Sequence, residues 1–172
     1  DRLESGAPRL AGLAGRPALV FIHGTGSHTL GGFGALPGSK AWADLQKQFG
    51  EHIYGFEHRS FSESPVDNAL QLLAVLPKGA RLHLVTHSRG GLVGDLLCLD
   101  TSPGNSRALD GLIADFRRRP RPDEAAREQA DPALARQREA WAADERKKLG
   151  KLVGLLRTKD VRVERYVRVA CP

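Results

Sequence analysis

The chain has 172 residues, 41% of them hydrophobic and 27% charged, the proportions of an ordinary soluble protein with one domain and a sizeable buried core. Its 26 Lys and Arg exceed its 20 Asp and Glu for a formal charge of +6, and twelve basic against seven acidic residues between Arg117 and Arg157 account for five of that surplus. No stretch nears the roughly 18 to 20 apolar residues of a membrane span, and no basic-then-apolar start signals export. Residues 1–17, rich in Gly, Ala, Pro and Arg without a period, read as an arm or linker. Ala18-Leu19-Val20-Phe21-Ile22 is a continuous apolar, β-prone run that stops at His23-Gly24, the pattern of a strand buried on both faces of a parallel sheet.

Gly24 to Ser39 holds six glycines and a proline and is expected to be a loop. Trp42, Leu45 and Phe49 then share one face of a short helix that Gly50 stops, and Ile53 to Phe56 forms a second strand. Ser64-Pro65-Val66-Asp67 starts another helix, with serine as N-cap, proline at the first position and an acid three residues on. Leu70, Leu73, Val75 and Leu76 are expected on its apolar face. Leu82 to Val85 reads as a strand and Gly90 to Leu99 as a helix. This alternation implies an α/β fold, a mostly parallel sheet with helices on both faces.

After Thr101 the character changes. A polar turn at Ser102 to Asn105, a short apolar piece from Leu109 to Phe116 and the basic run Arg117 to Pro122 open a charged helical insertion over residues 102–158. Asp131-Pro132 marks a helix start, and Leu134, Trp141, Leu149, Leu152, Val153 and Leu156 recur at helical spacing. Val161 to Val163 and Tyr166 to Val169 carry the β-branched content of a further strand.

The chemistry centres on Leu82-His83-Leu84-Val85-Thr86-His87-Ser88-Arg89-Gly90-Gly91, where an apolar run ends in a serine flanked by small residues. Such a strand-to-helix turn exposes one hydroxyl, and small residues at Thr86 and Gly90 relieve its close backbone contacts. A serine nucleophile also needs donors for the oxyanion that forms. The N–H of Arg89, at the start of the next helix, is one; the His23-Gly24-Thr25-Gly26-Ser27 loop offers the other, Thr25 first and Gly26 second. His23, Gly24, Gly26, His87 and Gly90 are supporting residues. A buried strand followed by a glycine-bearing helix with an incidental serine is the plainer reading, and the His-Gly-x-Gly loop one strand earlier weighs against it.

In these two segments the sequence resembles the lipase and esterase branch of the α/β-hydrolase superfamily. The resemblance covers about Ala18 to Leu99, with Val161 to Val169 similar to the next strand of that fold, and makes residues 18–172 a partial α/β-hydrolase domain. It implies a serine ester hydrolase, lipase-like, that works through an acyl-enzyme on Ser88 with oxyanion donors from the backbones of Thr25 and Arg89. Its substrate is an ester or lipid-like small molecule, and the insertion is where a cap or lid sits. Three departures stand out: Thr86 replaces the first glycine of G-x-S-x-G, a clear first pair of N-terminal strands is lacking, and no histidine follows His87.

None of His23, His28, His52, His58, His83 and His87 holds the family's base position, so the acid and base are expected beyond Pro172 or in another chain. The chain starts at Asp1, contains no methionine, and is expected to be an inactive and poorly stable piece of a longer protein. Without its own base it also reads as a catalytically incomplete scaffold or regulatory domain. No cofactor or metal is expected: His83 and His87 lie on a strand and turn, Thr29 spoils a dinucleotide fingerprint, and Gly38-Ser39-Lys40 lacks P-loop order. The basic run reads as a solvated face, with no nucleic acid expected. Cys98 and Cys171, each in apolar sequence, are expected to be buried thiols of a cytoplasmic protein.

Overall fold

The computed structural model describes Leu13, residues 15–117 and residues 119–172. The expected arm therefore lies outside the described residues up to Gly12 and at Ala14, as does Arg118 of the basic run. Four strands, β1 (Pro17–Ile22), β2 (Ile53–Phe56), β3 (Arg81–His87) and β4 (Arg162–Val169), form one all-parallel sheet in the order β2-β1-β3-β4. The two centre strands are the most apolar, and β1 is buried from Ala18 to Ile22. The outer strands read as edges: β2 is half-buried, and β4 is largely exposed and carries Arg162, Glu164, Arg165 and Arg168. The charged side chains along β4 discourage pairing of that edge with other chains.

From β1 the chain steps outward to β2, then returns past β1 to β3. The carboxyl ends of β1 and β3 therefore flank the point where the strand order reverses, the place where open parallel sheets put their sites.

Helices α1 (Thr29–Phe33) and α2 (Lys40–Phe49) follow β1. Ser39 caps α2 by accepting from the Trp42 N–H at 3.0 Å, and Gly50 stops it at φ 57°. Phe21 packs on Phe33 and Trp42, with ring centroids 4.9 and 6.4 Å away, in a cluster with Leu19 and Phe49. Helix α1 departs from the expected loop. A remote acid explains it, since Glu57 accepts the Thr29 N–H at 2.8 Å at the helix start.

Helix α3 (Pro65–Val75) opens on a capping box between Ser64 and Asp67. Its buried face consists of Val66, Ala69, Leu72 and Leu73, continued by Leu76, and Val75 is exposed instead of joining it. Helix α4 (Gly90–Leu97) follows β3, and Cys98 at its end is exposed, contrary to expectation; Cys171 is half-buried. The two β-prone pieces near the end fuse into β4. A bulge interrupts the pairing there, because Leu82 faces Val163 and His83 faces Arg165, leaving Glu164 extra. Glu164 turns its carboxylate to the Arg81 Nε at 2.5 Å and the His83 Nε2 at 3.4 Å.

The described residues divide into two compact units, one of those up to Leu99 with residues 155–172, the other of those within residues 100–154. The second is helical, with a short 3-10 turn at Pro103–Asn105, α5 (Ser106–Ala114), α6 (Pro122–Ala130) and most of α7 (Pro132–Lys159). Helix α6 was not expected from the sequence. Pro122 opens it, and Glu124 accepts the Arg121 N–H at 3.0 Å. Arg138 pairs with Glu128 at 2.8 Å, and Phe116 rests against Trp141 at 6.0 Å. No helix among the described residues is long and apolar enough to cross a membrane.

Candidate active site

Ser88 stands between β3 and α4 with φ 50°, a left-handed backbone that a residue with a side chain adopts only under constraint. Three contacts impose it. The Ser88 N–H donates to the Val169 carbonyl at 2.9 Å, extending the β3–β4 ladder one residue past His87, while the Gly91 N–H returns to the Ser88 carbonyl at 2.9 Å. A Cβ on Gly90 would collide with the carbonyl oxygen of Ile22 and lie 2.6 Å from that of His23, so only glycine lets α4 start this close to β1.

The loop after β1 meets the same turn. A Cβ on Gly24 would lie 2.9 Å from the Ser88 Cβ and 3.3 Å from the His87 Nδ1. The structure thus brings the segment Gly24 to Gly26 against the Ser88 turn. Thr25 and Gly26 are exposed, and Ser88 and Arg89 are half-buried.

The N–H groups of Thr25 and Arg89 meet no acceptor among the described residues, whereas the Gly26 N–H is taken by the Ser60 Oγ at 2.9 Å. The Ser88 Oγ likewise makes no hydrogen bond among them, and none of the six histidines reaches it. Two open backbone donors beside an unengaged hydroxyl at a helix start suit an anion that forms on an atom attacked by Ser88.

His23 braces the loop from below. Fully buried, it has Nδ1 at 2.9 Å from the Gly24 carbonyl, which can only accept, and so Nδ1 carries the proton. Its Nε2 faces the His58 N–H at 3.4 Å and the Glu57 Oε2 at 3.5 Å, and its ring stacks on His58 with centroids 4.0 Å apart. Phe56 stacks on the other side of His58 at 5.3 Å. Burial, with His23 and Arg89 beside it, pushes the His58 imidazole down to about 4. Burial acts to raise Glu57, but the hydrogen bond from the Thr29 N–H and the nearby His23 and His28 outweigh it and hold the carboxyl below its ordinary value. The His87 Nδ1 and His58 Nε2 are buried without a hydrogen-bond partner among the described residues.

Arg89 carries a second function of position. Its guanidinium donates to the Asn68 Oδ1 at 2.9 Å and to the Glu63 carbonyl, and Asn68, fully buried on α3, donates to the Glu63 Oε2 at 3.0 Å. Burial outweighs the nearby Glu63 charge and lowers the Arg89 guanidinium from its ordinary value. The sequence reading missed Ser60, Glu63 and Asn68 around the site. Only Asn68 left a signal, a polar residue within the apolar face of α3.

His83 lies away from Ser88 on β3, edge-on to Phe49 at 5.1 Å, and His52 approaches the Tyr54 hydroxyl at 3.5 Å. Among the described residues no group of three His, Cys, Asp or Glu side chains could hold a metal ion. A family model described as a domain of unknown function (DUF7379) matches residues 2–110, which take in β1 through α4 and both segments of the site. No curated protein and no solved structure matches the chain.

Proposed function

The chain belongs to the DUF7379 family, and within it we propose that Ser88 is the nucleophile of a serine hydrolase that cleaves carboxylic esters, lipid-like ones included. The reading rests on one observation. Ser88 is held at φ 50° where the strand order reverses, its Oγ unengaged and the N–H groups of Thr25 and Arg89 open beside it. The strand order and the place of Ser88 in it support the resemblance to α/β-hydrolases.

In this mechanism a base takes the Oγ proton as Oγ bonds to the ester carbonyl carbon. The carbonyl oxygen becomes an anion and receives the N–H groups of Thr25 and Arg89, reinforced by the start of α4. Collapse of the tetrahedral intermediate expels the alcohol, protonated by the conjugate acid of that base, and leaves an acyl-Ser88. Water repeats the attack, releases the carboxylic acid and returns the proton to Oγ. We assign the base and its orienting acid to residues outside this chain, because no histidine here bonds to Ser88.

That same lack favours a second reading, a hydrolase-like scaffold that binds and does not turn over. Fluorophosphonate labelling of the full-length protein separates the two: the hydrolase is labelled and its Ser88→Ala variant is not. Equal labelling of both, or none of either, removes Ser88 as an activated nucleophile.

A further inference from the structure

We propose that Phe61 contacts the acyl chain of the ester that Ser88 attacks and so selects apolar acyl groups, an inference that rests on the hydrolase reading. Phe61 lies between β2 and α3 and is 83% exposed. Its loop is pinned on both sides. The His58 N–H reaches the His23 Nε2 at 3.4 Å, the Ser60 Oγ accepts from Gly26 at 2.9 Å, and the Glu63 carbonyl accepts from Arg89. The ring thus stands in water on a loop whose backbone is held on both sides.

A Cβ on Gly26 would lie 2.8 Å from the Phe61 Cζ, so the ring rests on the backbone next to Thr25; Ser88 meets the same three-residue turn at Gly24. Nucleophile and ring thus flank the loop that offers the oxyanion donor. Leu30 on α1 and Leu92 in the first turn of α4 are also exposed, at 54% and 37%. Each of the three segments that leave the carboxyl ends of β1, β2 and β3 therefore presents one large apolar side chain. The guanidinium of Arg89, the residue after Ser88, is held by Asn68 and the Glu63 carbonyl.

With the carbonyl oxygen at Thr25 and Arg89, the acyl group stays bonded to Oγ until water cleaves it off, whereas the alcohol leaves in the first step. An apolar contact that serves both steps lies on the acyl side.

The experiment compares the full-length wild type with Phe61→Ser and Phe61→Leu on p-nitrophenyl acetate and octanoate, and on methyl and octyl acetate. Phe61→Ser is expected to lower the octanoate-to-acetate ratio of kcat/KM by about tenfold. Phe61→Leu restores most of it, and the octyl-to-methyl ratio on the alcohol side stays as in wild type. An unmoved acyl ratio, or an equal fall on the alcohol side, overturns the role of Phe61 while leaving Ser88 labelled by fluorophosphonate. A wild type that is neither labelled nor active on any of the four esters overturns the hydrolase reading itself, and this inference with it.

Discussion

The Arg89 guanidinium donates to the side-chain carbonyl of Asn68 at 2.9 Å, tying the residue after the serine to a fully buried amide on α3. Sequence places these residues in different elements. The contact fixes the turn against the helix that precedes β3.

Replacing Asn68 with alanine leaves Arg89 and Glu63 without their buried partner. A group stranded in this way costs about 1–3 kcal/mol, and thermal unfolding of Asn68→Ala is expected to show a lower Tm by the corresponding amount. Arg89→Lys is expected to lower Tm as well, since a point-like ammonium does not span the two acceptors that the planar fork reaches. An unchanged Tm in both variants would show that the network contributes nothing.

Stability is expected to fall on mild acidification through His58. Its folded value is about 4, against an unfolded value near 6.5. Between these the unfolded chain binds a proton that the folded chain refuses, so the contribution is complete above the unfolded value and is lost as pH drops toward 4. Part of the group is open to solvent, and with that screening the loss amounts to about 1–2 kcal/mol over the window. Urea unfolding from pH 7 to pH 4 checks it: His58→Gln should flatten the slope, and an equally steep slope in the variant would assign the effect elsewhere.

Ser88→Gly is expected to raise stability by about 1 kcal/mol, because glycine takes a positive φ without the penalty that a Cβ carries. The same substitution removes the hydroxyl and with it all fluorophosphonate labelling. A Tm at or below wild type would mean that the turn at φ 50° stores no strain.

The central elements were legible because their signals are local. An apolar, β-prone run at Ala18 to Ile22, the Ser64-Pro65 start of α3 and the glycine stop at Gly50 each act within a few residues. The parts that escaped depend on remote partners. Helix α1 takes its first hydrogen bond from Glu57, and the Glu164 bulge answers to Arg81 and His83. In the site, the closeness of the loop after β1 to Ser88 followed from strand adjacency. The commitment of the Gly26 N–H to Ser60 did not, since it joins two loops with no shared pattern.

The bond from the Ser88 N–H to the Val169 carbonyl makes the turn depend on a residue far along the chain. The full set of contacts that holds Ser88 at φ 50° exists only while β4 is docked on β3, and the helical residues 100–154 lie between the two in sequence. A truncation that keeps α7 and β4 in register therefore preserves the turn, whereas one that undocks β4 removes the carbonyl to which Ser88 donates, and the site with it.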